Sequence, residues 1–254
     1  MFMKVKKIVI VTDCVDIAYN ELRGTYASLL QDVDFVEIEP VVQVKPFSVI
    51  NGAFVLRLMV DSYPTGTVFS IILNPEKNRP ERVVCRLKNK DVTIMTANTG
   101  VLEMVTKEFG IKECYEVVDP GFYPFGGKYV HTPTVAKIAQ GTKLSEFGPE
   151  FSQEKLRALD THNVIVHIDN FGLMKCTNQL KLPEIGDQYQ ITLGRTTITA
   201  KYDVRMMSNE TGDWIIYPGS SFGLIEIGKV RENGAMLLGA KEGDKVVIEK
   251  SPSI

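Results

Sequence analysis

The sequence predicts an α/β domain followed by a smaller all-β domain, and three observations lead there. Up to about residue 140, β-branched runs alternate with apolar helical stretches, the pattern of a mainly parallel sheet flanked by helices. After Asn163 the long-helix signal disappears and short alternating strands take over. The polar connection from Gly141 to Asn163 separates the two patterns, which sets the expected domains at residues 1–160 and 161–254.

In order, Lys6 to Asp13 (KKIVIVTD) reads as a buried parallel strand: basic start, unbroken β-branched run, acidic end. A helix is expected over Ala18 to Leu30 and a short strand over Asp34 to Glu39. Pro46 is placed to open an apolar helix that ends near Tyr63-Pro64 and is sandwiched between layers. VFSIIL, Val83 to Leu87, VTIMTA and ECYEVVD supply further strands, and Val101 to Phe109 a helix. PGFYPFGG, from Pro120, reads as an aromatic loop packed over something. Thr132-Pro133 starts a short helix running to Ala139. In the second half VIVHI, YQITLG, TTITAKY, WIIYP, LIEIGKV and KVVIEK are strands.

The 254 residues carry 29 Lys and Arg against 31 Asp and Glu, a net charge of −2, which gives no field to attract a polyanion such as nucleic acid. The four cysteines, Cys14, Cys85, Cys114 and Cys176, form no CxxC pair, against both a thiolate metal cluster and a disulfide scaffold. Ile8 to Val11 is too short for a secretory or membrane segment, and the stretch Ala53 to Val60 is interrupted by Arg57. A cytoplasmic protein without a membrane partner is the expectation.

Three places carry candidate chemistry. Asp13 and Asp16 stand where the first strand ends, the usual ligand crevice of an α/β sheet; an aspartate there suits vicinal ribose hydroxyls or, equally, a helix N-cap. No GxGxxG follows, which argues against a dinucleotide site. Asp169, in DNFG after VIVHI, suits a ligand ammonium or an Asx-turn. Ser221, in PGSSFG, lies outside any GxSxG elbow and suits a carboxylate contact or a plain hairpin turn. Of the three histidines, His131 follows the aromatic loop and is the acid–base candidate, His167 alternates with apolar neighbours in a strand, and no metal-ligand spacing is present. The cations Lys77, Arg79, Arg82 and Arg86 are read as a solvated face diluted by Glu76 and Glu81.

In order and spacing, IVIVTD, YPTGT (63–67), NP (74–75), NTG (98–100), GGKYVHTPTVAKIAQG (126–141), IDNFGLMKCTN (168–178) and SSFGLIEIGKVRENGAMLLGAKEGDKV (220–246) resemble the S-adenosylmethionine hydroxide adenosyltransferase family, relatives of the chlorinating and fluorinating enzymes. The resemblance spans nearly the whole chain. It implies a C-terminal β-barrel, a homotrimer with ligand sites between subunits, and S-adenosylmethionine as substrate or ligand without a further cofactor. It implies that Asp13 binds the ribose hydroxyls, Asp169 the methionine amine and Ser221 the methionine end, with a backbone contact to adenine at Ala235.

The sequence departs from the family where water is handled. The family's Asp-Arg-His set falls on Asn74, on Glu81 or Arg82, and on Gly126, with Lys128 and Tyr129 at the neighbouring arginine and aspartate; His131 is displaced by five positions. Leu173 stands where an asparagine near adenine is expected. Displacement at the ribose C5′ of a sulfonium has a neutral thioether leaving group and needs little acid catalysis, but it does need a desolvated, aligned nucleophile. The expectation is therefore an adenosyl-compound binder that hydrolyses S-adenosylmethionine in a pocket of Lys128, Tyr129 and His131, or alternatively a nucleoside-binding or sensory protein that keeps the cleft without the chemistry. A halide nucleophile is disfavoured by the charged Lys77-Asn78-Arg79 loop.

Overall fold

The computed structural model describes residues 5–73, 80–118, 121 and 123–252. The chain divides into two compact units, Met1–Leu159 and Asp160–Ile254. Asn74, the Lys77-Asn78-Arg79 loop and the Pro120 start of the aromatic stretch lie outside the described residues.

Unit 1 is built on β1 (Lys6–Thr12), whose Ile8, Val9, Ile10 and Val11 are all fully buried, so both faces of the strand are covered. Asp16 caps α1 (Ile17–Leu29), accepting from the Ala18 N–H at 3.0 Å. Two short strands, β2 (Val36–Ile38) and β3 (Val42–Gln43), then pair in parallel with successive parts of β1. The next helix, α2 (Val49–Ser62), begins later than Pro46 suggests, because the Ser48 hydroxyl accepts from the Asn51 N–H at 3.2 Å and fixes its start. It is buried on most sides, as its apolar circumference requires.

The remaining elements are β4 (Val68–Ile72), β5 (Arg82–Leu87), β6 (Thr93–Ala97), α3 (Glu103–Phe109), β7 (Ile111–Glu116), a π-helical turn at Gly127–His131 and, continuous with it, α4 (Thr132–Ala139). The sheet order is β2-β1-β4-β6-β5-β7, with β3 also on β1. The sheet is mainly parallel, as expected: β2 and β3 on β1, β1 on β4 and β4 on β6 pair in parallel, and among the described strands β5 alone runs against the rest, antiparallel to both β6 and β7. The short Lys88-Asn89-Lys90 connection explains this, since a tight turn joins only antiparallel neighbours.

Ile8 and Ile10 pack with Leu22 and Tyr26 of α1 and with Val135 and Ala139 of α4. Alternation along β1 turns Val9 and Val11 to the other face, the side on which Tyr63 at the end of α2 meets Phe69 of β4 edge-on. The chain thus leaves β1 for β2 on one side and reaches β4 on the other, so connections diverge at the carboxyl end of β1. Such a divergence leaves a crevice there. On the opposite half of the sheet, Cys85 and Cys114 are register partners of β5 and β7 and form a disulfide, contrary to the expectation from their spacing.

Unit 2 comprises β8 (Ile165–Ile168), β9 (Met174–Cys176), β10 (Gln188–Leu193), β11 (Thr196–Tyr202), β12 (Trp214–Pro218), β13 (Ile225–Lys229), α5 (Gly234–Leu238) and β14 (Val246–Lys250). Its sheet order is β14-β10-β11-β12-β13-β9-β8, around a core that includes Ile165, Met174, Ile191, Ile216, Ile227 and Val246. This is a curled sheet, a half-barrel. Its end strands approach each other at the isolated bridge Val164↔Lys245, where the Ile165 N–H donates to the Asp244 carbonyl at 3.0 Å and the Val246 N–H to the Asn163 carbonyl at 2.8 Å. No described helix is long and apolar enough to cross a membrane.

Candidate functional site

The end of β1 is fixed by Thr12, whose hydroxyl donates to the Ile72 carbonyl at 2.6 Å and accepts from the Cys14 N–H at 3.0 Å. The next residue, Asp13, is 8% exposed. Its Oδ2 accepts from the Phe47 N–H at 3.0 Å, and the Cys14 thiol lies 3.7 Å from Oδ1. Phe47 has a φ of 61° and an exposed ring, so a strained residue carries the amide that orients Asp13. Asp16 supplies the helix cap, which leaves Asp13 as an acceptor-only group at the crevice.

A cavity of about 150 Å³ opens at the carboxyl ends of the parallel strands, lined by Cys14, Ile72, Arg82, Phe125, Gly126 and His131 among others. Sites for drug-sized ligands run to roughly 300–1,000 Å³. Taken by itself, this cavity therefore receives a fragment of such a molecule. Burial pushes the Cys14 thiol above its ordinary pKa, a rise opposed by its hydrogen bond with Thr12.

His131 is the last residue of the π-helical turn and is 5% exposed. The Thr132 hydroxyl donates to the Gly127 carbonyl at 2.9 Å across the same wide turn. His131 lines the cavity; Lys128 and Tyr129 do not. The Lys128 ammonium is 2.9 Å from the Glu21 carboxylate of α1, which raises its pKa, and sits over the Tyr129 ring at 5.4 Å. Tyr129 is half exposed and stacks on Tyr123. Arg82, one of the two positions the resemblance offered for the family's arginine, lines it, as does Cys14, which sequence reasoning did not assign to the site.

Asn98, in the NTG turn, is buried and structural: its amide donates to the Lys155 carbonyl at 3.0 Å and its carbonyl accepts from the Arg157 N–H at 2.9 Å. It also reaches Glu81 at 3.4 Å. Glu81 is held below the usual carboxylate range by its own main-chain amide first and by Asn98 second.

In unit 2, Asp169 occupies the β8–β9 turn. Its Oδ1 accepts from the N–H groups of Phe171 at 2.9 Å and Leu173 at 3.0 Å, an Asx-type turn. Gly172 there has a φ of 82°, and a Cβ on it would lie 2.1 Å from the Asn233 Oδ1, so only glycine fits. Ala235, in α5, donates its N–H to the Gly172 carbonyl at 3.1 Å, which ties α5 to this turn. Leu173 packs on Met206, Ile215 and Val230, an apolar use of a position where the family pattern has an amide.

Ser221 is buried in the β12–β13 turn, beside Phe222 and Gly223 at φ values of 53° and 68°. Between the two turns runs a polar row of register partners. Tyr217 donates to Glu226 at 2.7 Å, and Glu226 pairs with the Lys175 ammonium, both charges being buried. Burial and then the Glu226 carboxylate push the Tyr217 phenol far above its ordinary pKa, and the charge of Asp169 adds to the rise. Trp214 carries Lys229 over its ring at 6.0 Å and packs against the unit 2 core. Among the described residues no cluster of His, Cys, Asp and Glu is arranged to hold a metal.

A family model described as the SAM hydroxide adenosyltransferase N-terminal domain matches residues 8–148, more than half of the chain. The chain is 22% identical over 259 residues to the (R)-S-adenosyl-L-methionine hydrolase of Methanocaldococcus jannaschii, covering 94% of this chain and 95% of that one. Two solved structures share the fold. An uncharacterized conserved protein from Thermotoga maritima superposes with a TM-score of 0.81 at 22% identity, covering 95% of this chain and 100% of its own. A conserved hypothetical protein from Thermus thermophilus gives 0.76 at 20% identity, covering 96% of this chain and 100% of its own.

Proposed function

The chain belongs to the SAM hydroxide adenosyltransferase family, and from that premise we propose that it binds S-adenosylmethionine or a related adenosyl compound and cleaves it at the ribose C5′. One observation carries the reading: the buried Asp13 carboxylate stands where the connections of the sheet diverge, next in sequence to a residue of the cavity that His131 also lines. An ionised carboxylate there accepts from both vicinal hydroxyls of a ribose. In this reading Asp169 receives the ammonium of the amino-acid tail and Ser221 lies near that end. A contact of adenine at Ala235 has to share or replace the N–H bond to Gly172. A homotrimer, as the resemblance implies, completes the site between subunits.

Water is the proposed nucleophile. Its oxygen forms the new bond to C5′, the C5′–S bond breaks, methionine leaves as a neutral thioether, and one proton is released to solvent. His131, with Lys128 and Tyr129 on the same turn, is the proposed flank of the reacting end. The similarity to a named hydrolase along nearly the whole chain supports this reaction.

Gly126 and Leu173 favour a second reading. Gly126 offers no side chain and Leu173 is packed in an apolar cluster, so a binder without turnover also fits. The test is incubation of purified protein with S-adenosylmethionine, followed by chromatography for adenosine and methionine. Equal amounts of both support hydrolysis, and calorimetric binding without products supports the binder. Neither binding nor products removes both readings.

A further inference from the structure

We propose that Glu226 is a positioning residue for the amino-acid tail of the ligand, holding the turn of Asp169 and the turn of Ser221 at a fixed separation. Tyr217, Glu226 and Lys175 are register partners on three neighbouring strands, β12, β13 and β9. Their strand neighbours Ile216, Ile225, Ile227, Met174 and Cys176 face the unit 2 core, so alternation puts the row on the other face of the sheet. Lys175 and Glu226 are nevertheless only 9% and 5% exposed. Each oxygen of the carboxylate accepts from the protein: Oε1 from the Lys175 ammonium, and Oε2 from the Tyr217 hydroxyl at 2.7 Å. Glu226 therefore works through the residues it holds.

Each turn is a closed body of its own. In the first, the Asp169 N–H donates to the Leu173 carbonyl at 3.1 Å, and the Leu173 N–H to Asp169 Oδ1 at 3.0 Å. Lys175 follows directly on the same chain segment. In the second, the Gly219 N–H donates to the Leu224 carbonyl at 2.8 Å, and the Leu224 N–H to the Ser221 carbonyl at 2.9 Å. Tyr217 leads into this turn and Glu226 leads out of it. A Cβ on Gly219 would overlap the Glu226 carboxylate, so that side chain also bears on the backbone of the turn. The row thus fixes one body against the other. The charge of Asp169 reaches Tyr217, where it adds to the rise of the phenol pKa. A zwitterionic tail with its ammonium on Asp169 and its other end near Ser221 spans both turns, so its affinity depends on their separation. This assignment rests on the adenosyl reading.

Replacing the buried pair as a pair separates positioning from stability. Lys175→Met/Glu226→Met removes both charges at similar volume and should keep the urea midpoint of the full chain near that of the parent. The dissociation constant of S-adenosylmethionine, measured by calorimetry, should nevertheless rise about 10-fold as the link between the turns is lost. Tyr217→Phe, which keeps the ion pair, should weaken binding by a smaller factor. Lys250→Met, which breaks an ion pair with Asp187 on another strand of the sheet, should bind as the parent does. Parent affinity in the double variant overturns the proposal alone, as does equal weakening in Lys250→Met. If the double variant loses its midpoint as well, Tyr217→Phe decides: weaker binding at the parent midpoint supports the assignment and parent affinity overturns it. No binding by the unaltered protein overturns the adenosyl reading and this assignment with it.

Discussion

Asp13 and Asp169 occupy similar places, each just past the end of a buried strand, yet their surroundings differ. Asp169 holds its own turn together through two main-chain N–H groups two and four residues away. Asp13 accepts from Phe47, 34 residues distant, while Asp16 takes over the local capping role. A carboxylate that builds its turn is tied to the fold; one oriented by a remote loop is tied to the crevice. The contrast extends to the two units: unit 1 gathers Cys14, Arg82 and His131 around a cavity, whereas unit 2 buries the Lys175–Glu226 pair and leaves its turns to local hydrogen bonding.

Substitutions that break this contrast rank by expected effect. Glu226→Gln strands a buried ammonium and should lower the unfolding free energy of unit 2 by about 3–5 kcal/mol in urea titrations. Asp169→Ala removes two hydrogen bonds to a carboxylate and should cost about 2 kcal/mol in the same titrations. Gly126→Ala displaces only the far end of the Arg82 side chain, so it should change the unfolding free energy in urea by no more than about 0.5 kcal/mol.

The smallest expected difference appears in acid. In unit 2 Asp160 is held below the ordinary carboxylate range chiefly by Lys245, Asp187 by the Glu184 N–H and Asp203 by the Arg205 N–H. In unit 1 Glu81 is the lowered carboxylate among the described residues. A depressed folded-state pKa contributes stability that is complete above the unfolded value and is lost as pH falls through the folded one. Urea midpoints should therefore decline below roughly pH 4, more for unit 2 than for unit 1. Trp214 is the single tryptophan and lies in unit 2, so its fluorescence should report the earlier transition; a later one would reverse the ranking.

Much of this architecture was legible in the residues. Long β-branched runs such as KKIVIVT and VFSII announce buried strands because no other element accommodates them as well. β3 and β9, two and three residues long, are too short for any periodicity to register. The π-helical turn at Gly127–His131 reads as loop because glycine, proline and aromatic residues surround it; tertiary packing of Val130 and His131 makes it helical. The Cys85–Cys114 disulfide depends on cross-strand register between β5 and β7, which sequence spacing does not encode. Arg82 reads both as one member of a solvated cationic stretch and, beside Glu81, as a position for the family's arginine; its place at the start of β5 brings it to the cavity wall. Asp13 and Asp169 were found as candidates because polar residues end apolar strands, but their different partners appear only in three dimensions.

The central claim is that Asp13 anchors an adenosyl ligand, and isothermal titration of the purified full chain with S-adenosylmethionine tests it most directly. The account predicts saturable binding by the unaltered protein that disappears in Asp13→Asn, whose unfolding midpoint stays close to that of the parent. Equal binding by Asp13→Asn, or no heat of binding from either protein, would contradict it.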